Sequence, residues 1–133
     1  MALIQDRNTE TREARVMVLP VAAAKKIYAG ALVAADANGF VTPGAVATTL
    51  TYLGRAEEQV DNSAGANGDK TLQVRMGAAF KFKNSGGDPV TQAELGKTVY
   101  IEDDETVAKT NGTGTRSAAG KVVGVESDGV WVL

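Results

Sequence analysis

The sequence predicts an all-β fold: a compact β-barrel or β-sandwich-like domain of two related hairpin units, with an extended N-terminal arm and at most one or two short helical turns. Two segments, starting at Gly30 and at Gly96, align without a gap at a constant offset of 66 residues. Short stretches of alternating apolar and polar residues are bounded by Gly, Pro, Asn and Asp, which is typical of strands and turns. Aromatic residues make up only 5% of the chain, while Val, Ala and Gly are abundant, as suits thin, closely packed layers.

The offset predicts a pseudo-repeat in which residues 30–60 correspond to residues 96–126. Each copy reads as a strand, a polar turn, a second strand, a loop, and a third strand that opens with glycine and a basic residue. The positions that agree include Val33 with Val99, Asp36 with Glu102, Val41 with Val107, and Gly54-Arg55 with Gly120-Lys121.

The composition predicts one domain over residues 15–133 and excludes several kinds of chemistry. The 133-residue chain has no Cys and no His, which removes disulfides, thiolate nucleophiles, His-dependent triads and the usual zinc ligands. A net charge of −2 does not favour a nucleic-acid partner, which demands a clustered basic surface. The apolar stretch at residues 16–35 is interrupted by Pro20, Lys25-Lys26 and Gly30, so neither a membrane span nor a signal peptide is expected.

Residues 1–14 are predicted to form a flexible N-terminal arm. An unbroken polar run from Gln5 to Glu13 has nothing to bury in a core. One interpretation is a frayed terminus. The other is an arm that becomes ordered on a partner, with Leu3 and Ile4 as its apolar anchor and with Arg7 and Arg12 meeting carboxylates.

The N-terminal half of the domain is predicted to contain strands and one tight hairpin. Pro20 removes a backbone donor from the first strand, which must therefore lie at an edge or break there. Asn38-Gly39 closes a short loop that is a strong hairpin signal. The expected elements are a strand over Arg15–Ala24, a hairpin with strands Ala31–Ala35 and Phe40–Thr42, a turn at Pro43-Gly44, a strand over Leu50–Val60 and a loop over Asp61–Asp69.

The C-terminal half is predicted to repeat this pattern after two alternating strands. Thr91 and Glu94 have capping-box spacing, and Gly96 can end the single helical turn that they begin. The expected strands are Thr71–Met76, Ala78–Lys83, Thr98–Ile101, Thr106–Ala108, Lys121–Val125 and Val130–Leu133, the last of which ties the C-terminus into a sheet.

No catalytic, cofactor-binding or metal-ligating residues are predicted, so we do not expect an enzyme. The acidic run Glu102–Glu105 lacks the spacing of a calcium loop and reads as a solvated hairpin tip. The loop Asn111–Arg116 has only half of a dinucleotide fingerprint. We expect this loop, with Thr113 and Arg116, to contact a neighbouring subunit, because Arg can bind a carboxylate bidentately.

The C-terminal part contains a series of four segments: Thr91–Tyr100, Asp104–Ala108, Gly114–Val122 and Asp128–Val132. This series covers about the last 45 residues and resembles the capsid cement, or head-decoration, proteins of tailed phages and prophages. The N-terminal segments 30–35 and 54–56 fit the same family more loosely.

The resemblance implies a structural protein of the virion, located on the outer surface of the capsid. Such proteins bind the major capsid protein, commonly as trimers or clusters over junctions between subunits. They resist the pressure of packaged DNA without touching nucleic acid. An alternative is a receptor- or glycan-binding module associated with a phage tail, which would need exposed aromatic residues in a groove.

Overall fold

A computed structural model describes all residues from Met1 to Leu133 and confirms the predicted all-β class. Twelve strands and one 3-10 turn follow the arm. The strands are β1 Val16–Pro20, β2 Lys25–Ile27, β3 Leu32–Ala35, β4 Val41–Pro43, β5 Thr51–Ala56, β6 Val60–Asn62, β7 Thr71–Arg75, β8 Phe80–Asn84, β9 Thr98–Ile101, β10 Thr106–Ala108, β11 Ala118–Glu126 and β12 Gly129–Val132; the 3-10 turn spans Gln92–Glu94. No helix is long and apolar enough to cross a membrane.

The strands form two five-stranded units of the same connectivity. The N-terminal unit is a sheet in the order β1-β7-β5-β3-β4, and the C-terminal barrel closes in the order β10-β8-β12-β11-β9. A single parallel bridge between Val21 and Val41 joins the two ends of the N-terminal sheet. A separate two-stranded sheet pairs β2 with β6.

The pairing registers of the two units coincide at the sequence offset. Ala35 pairs with Val41 in the first hairpin, and Ile101 pairs with Val107 in the second. The third strand of each unit has the same register: Leu32 of β3 pairs with Arg55 of β5, and Thr98 of β9 pairs with Lys121 of β11. The two hairpin units are therefore related in backbone pairing as well as in sequence.

Each unit has its own core, and β3 contributes to both. Val33 packs with Val41 and Leu72 in the N-terminal core. Leu32 and Ala34, on the opposite face of the same strand, pack into the core of the C-terminal barrel. Successive residues of a strand point to opposite faces, so β3 is buried on both sides and joins the two units.

Most predicted elements agree with the structure, with one strand divided and one missed. The strand expected over Leu50–Val60 is two strands, β5 and β6, because the chain turns at the charged pair Glu57-Glu58 and β6 leaves the sheet to pair with β2. The strand β2 was not predicted. The capping turn is present, with the Glu94 carboxylate accepting hydrogen bonds from the N–H and hydroxyl of Thr91, both at 2.6 Å.

Candidate interaction surfaces

The N-terminal arm is irregular and exposed along its whole length. Residues 1–14 contain no strand, and Leu3 and Ile4 are 72% and 93% exposed. Arg7 and Arg12 form no ion pair within the chain. The arm joins the fold at Arg15, whose carbonyl accepts a hydrogen bond from Met76 N–H at 2.7 Å.

The loop that carries Thr113 is a compact, exposed turn. Thr113 has a φ of 61° and lies between two glycines that also have positive φ. The Asn111 carbonyl accepts hydrogen bonds from the N–H groups of Thr115 and Arg116, both at 2.9 Å. Internal hydrogen bonds hold the loop in shape, so Thr113 is presented to solvent on a defined backbone.

The Arg116 side chain, which was expected to reach a neighbouring subunit, is paired within its own chain. Its guanidinium lies 3.0 Å from the Asp88 carboxylate and 3.4 Å from that of Glu102, and it donates to the Thr110 carbonyl at 3.1 Å. Its side chain is only 17% exposed. Leaving these partners would leave two carboxylates without their cation, so Arg116 stabilises the loop rather than extending from it.

Asp88 is the centre of this network. Hydrogen bonds from the Thr110 hydroxyl and N–H, followed by the contact with Arg116, hold the pKa of Asp88 below its usual range. The carboxylate therefore stays charged at neutral pH. Sequence reasoning missed Asp88, because 28 residues separate it from Arg116 and no local pattern connects them.

The acidic turn Glu102–Glu105 connects β9 to β10, but it is not a freely solvated tip. The Asp104 carbonyl accepts the Leu32 N–H at 2.7 Å, and the Glu105 carbonyl accepts the Lys83 N–H at 2.8 Å. Burial, followed by the neighbouring Asp103, raises the pKa of the Asp104 carboxyl. The turn thus forms part of the contact between the two units.

An open pocket of about 460 Å³ lies where the acidic turn meets the N-terminal unit. Its walls are Tyr28–Ala31 on one side and Asp104 with Glu105 on the other. Tyr28 is 55% exposed and lies under the ammonium of Lys26, which is 5.2 Å from the ring centroid. No local pattern of residues indicates this pocket, since its two walls are distant along the chain.

The outer face of the C-terminal barrel is internally paired. Lys81 lies 2.8 Å from Asp128 and 3.7 Å from Glu126, and the Trp131 indole N–H donates to Glu126 at 2.8 Å. Lys81 also lies 5.8 Å from the centre of the Trp131 ring. Lys81, Glu126 and Asp128 are therefore paired with one another, in contrast to Arg7 and Arg12 of the arm.

The structure does not bring the predicted contact residues into one site. The arm joins the first strand of the N-terminal unit, whereas Thr113 and Arg116 belong to the C-terminal barrel, and no hydrogen bond or ion pair connects them. No group of three or more acidic side chains is arranged to hold a metal ion. No protein-family model, curated protein or solved structure matches the chain.

Proposed function

We propose that this protein is a structural component of a phage virion that decorates and stabilises the outside of an assembled capsid by bridging capsid subunits. The observation that carries the proposal is the contrast between a β body with two packed cores and an arm that contains no strand and exposes the apolar side chains of Leu3 and Ile4. The resemblance of the C-terminal segments to capsid cement proteins supports the same function.

The body is suited to act as a rigid spacer. Its two cores share β3, so the units are held together by buried strand faces as well as by loops. The Leu50 N–H donates to Ser117 Oγ at 3.0 Å, and Ser117 Oγ donates to the Ala47 carbonyl at 2.7 Å. These bonds, together with the hydrogen bond from the Leu32 N–H to the Asp104 carbonyl, fix the orientation of one unit against the other.

The arm is suited to reach a neighbouring shell subunit. An extended chain spans about 3.3 Å per residue, so the arm can cover roughly 45 Å. Leu3 and Ile4 would enter an apolar slot of the major capsid protein, and Arg7 and Arg12 would bind carboxylates there. Burial of a Leu or Ile side chain contributes about 1.5–3 kcal/mol, so the anchor alone accounts for at least a tenfold gain in affinity.

Stabilisation of the capsid requires that the protein bind the mature shell better than the unexpanded one. A ligand shifts a two-state equilibrium only through its differential affinity for the two states. The spacing between subunits in the expanded lattice would supply this difference. The resemblance implies trimers at junctions between capsid subunits, and such clustering on the capsid would add avidity because one docked copy raises the effective concentration of the others. This clustering on the shell is separate from the association of the free protein in solution.

The test compares binding of the full chain to empty procapsids and to expanded heads. We expect preferential binding to expanded heads and greater resistance of the decorated heads to heat. Deletion of residues 1–13 should lower capsid binding at least tenfold while leaving the melting temperature of the free domain unchanged. The double variant Leu3→Ser, Ile4→Ser should reproduce the loss, and Val46→Ser, at an exposed valine of the body, is the matched control.

Equal binding to both particles, or full occupancy by the truncated protein, would contradict the proposal. The second candidate is then the tail-associated glycan- or receptor-binding module. One feature favours it: exposed Tyr28 beside the carboxylates of Asp104 and Glu105 offers a stacking surface and hydrogen-bond acceptors in one pocket. Saccharide binding that is lost in Tyr28→Ala would support this alternative.

A further inference from the structure

The strand β1 has an open edge. It pairs only with β7, and the Arg15 carbonyl and Val21 N–H both bond toward that side. Because hydrogen bonding alternates along an antiparallel strand, the backbone groups of Met17 and Leu19 also point to β7, and those of Val16 and Val18 point away. The N–H and C=O groups of two consecutive outward-facing residues are therefore free.

The corresponding edge in the C-terminal barrel is closed at its C-terminal end, where β10 pairs with Lys83 and Asn84. There, β8 pairs with β12 on one side and with β10 on the other. The Ser85 N–H bonds to the Val107 carbonyl, as the Ala22 N–H bonds to the Val41 carbonyl in the N-terminal unit, each at 2.9 Å. At this position, therefore, the first strand of each unit is hydrogen-bonded in the same way to the strand across the seam.

Pro20 explains why the two edges then differ. In the barrel, the hydrogen bonds between β8 and β10 form a seam that extends two residues before Ser85. There, the Lys83 N–H donates to the Glu105 carbonyl at 2.8 Å. Pro20 occupies the position equivalent to Lys83 and has no N–H to donate. The seam of the N-terminal unit therefore ends at Val21, one residue sooner than in the barrel. Val18 and its equivalent in β8, Lys81, both lie beyond the seam, so the two exposed edges differ in their side chains.

The side chains of β1 also differ from those of β8. Val16 and Val18 are 44% and 61% exposed, and Met17 on the opposite face is only partly buried. The outward residues of β8 are instead Lys81 and Lys83, each paired with a carboxylate. Charged residues protect a strand edge from association, and β1 has no charged residue from Val16 to Pro20.

We propose that β1 is a self-association edge that pairs antiparallel with β1 of a second copy. Centred on Met17, this pairing places Val16 opposite Val18 of the partner and Val18 opposite Val16. The two copies exchange about four hydrogen bonds through the free N–H and C=O groups. The same pairing brings four valines together on one face and joins the two N-terminal sheets.

A second β1 fits this edge better than the arm does. The edge is apolar on both faces, whereas residues 5–13 of the arm are polar throughout. The edge is also self-complementary, as a twofold interface requires, because Val16 and Val18 offer equal numbers of donors and acceptors. The contact is smaller than the roughly 1,600 Å² of a standard interface, so we expect a dimer that depends on concentration.

Sedimentation and native mass measurements test the proposal without a capsid. We expect the mass to rise toward twice the 13.8 kDa of one chain as the concentration approaches about 1 mM. Val18→Lys, which copies Lys81 of the C-terminal barrel, should leave the protein monomeric with an unchanged melting temperature. Val123→Lys, at a valine 48% exposed outside this edge, should still dimerise.

Single cysteine substitutions test the register, since the chain has no cysteine of its own. Met17→Cys places two sulfurs at the directly opposed pair on the twofold axis, so mild oxidation should yield a disulfide-linked dimer. In Val18→Cys the two introduced thiols are diagonal neighbours at about 7–8 Å, too far for efficient bridging.

Four results would overturn the proposal: a monomer at every concentration, a trimer, a Val18→Lys variant that still dimerises, or a disulfide that forms in Val18→Cys and not in Met17→Cys. These measurements contain no shell protein, so such a result would not bear on the proposed capsid binding, which is tested separately with procapsids and expanded heads.

Discussion

The hydroxyl of Tyr52 provides a sharp test of how the two units pack together. The Tyr52 ring, on β5, meets Phe82 of the C-terminal barrel edge-on, with centroids 6.4 Å apart and an interplanar angle of 85°. The hydroxyl oxygen is buried and has no hydrogen-bond partner among the protein groups. Burial raises the pKa of Tyr52 to about 12. The variant Tyr52→Phe keeps the ring contact and removes only the unpaired oxygen.

Two effects follow in the free energy of unfolding. A buried polar group without a partner costs about 1–3 kcal/mol, and because the Tyr52 residue is only partly buried, we expect Tyr52→Phe to gain about 1 kcal/mol. For a domain of this size that gain raises the melting temperature by roughly 3–5 °C.

The second effect depends on pH. The pKa rises from 10.0 in the unfolded chain to about 12 in the native protein, so the unfolded state ionises first. Ionisation of Tyr52 therefore costs the folded protein nothing below about pH 10, and it lowers the free energy of unfolding by roughly 2–3 kcal/mol as pH rises from about 10 to about 12. Tyr52→Phe lacks this alkaline loss.

Thermal unfolding followed by circular dichroism, at about pH 7 and at steps between about pH 9 and 12, measures both effects. The stability advantage of Tyr52→Phe over the wild type should widen as pH rises. Tyr28→Phe, at a tyrosine 55% exposed, is the matched control. A less stable Tyr52→Phe at neutral pH, or parallel alkaline loss in variant and wild type, would show that the buried hydroxyl is not the cause.

Two further predictions concern single positions. Hydrogen bonds from Thr110 lower the native pKa of Asp88, so the stability contributed by this carboxylate is present above the ordinary Asp pKa and is lost as pH falls through the lower native value. The variant Asp88→Asn should lack that part of the loss in acid unfolding. An acid unfolding profile identical to that of the wild type would contradict the network. In β11, a Cβ at Gly120 would lie 2.1 Å from the Leu133 carbonyl oxygen, so Gly120→Ala should lower the free energy of unfolding by about 1–3 kcal/mol in chemical denaturation. Gly86→Ala, where nothing lies within 4 Å, should be neutral, and equal effects at both glycines would exclude the close approach as the cause.

Local sequence signals were sufficient for the strands and turns of each unit. The predicted hairpin strands Thr98–Ile101 and Thr106–Ala108 agree with β9 and β10 at both ends. The Asp36–Gly39 turn is closed by the Asp36 carboxylate, which accepts the N–H groups of Asn38 and Phe40 at 2.9 and 3.0 Å. Such bonds form between residues a few positions apart, so the pattern of nearby residues contains the information.

The candidate surfaces were less accessible to sequence reasoning. Leu3, Ile4, Arg7 and Arg12 were predicted to lie outside the fold, and their exposure follows from a polar run that no core can bury. Arg116 was expected to extend outward, and its inward ion pairs depend on Asp88, which no spacing rule connects to it. The pocket beside Tyr28 likewise needs two segments that only the folded chain brings together.

Alternation, turn chemistry and a missing N–H act over short distances, which is why the order of residues alone is enough to specify the all-β class and the hairpins within each unit. Of the two outcomes expected at Pro20, an edge strand or a break, the structure has the edge strand, since β1 runs through Pro20. The way in which the two units meet is fixed at the level of the folded chain. Leu32 and Val33 are adjacent apolar residues, and nothing local shows that one enters the C-terminal core and the other the N-terminal core. The open edge of β1 is also a tertiary property, because it depends on β4 meeting the first strand segment only at a single bridge, Val21 with Val41. Contacts between distant segments depend on how the whole chain packs, and such packing produces no hydrophobic periodicity that could be recognised in the sequence.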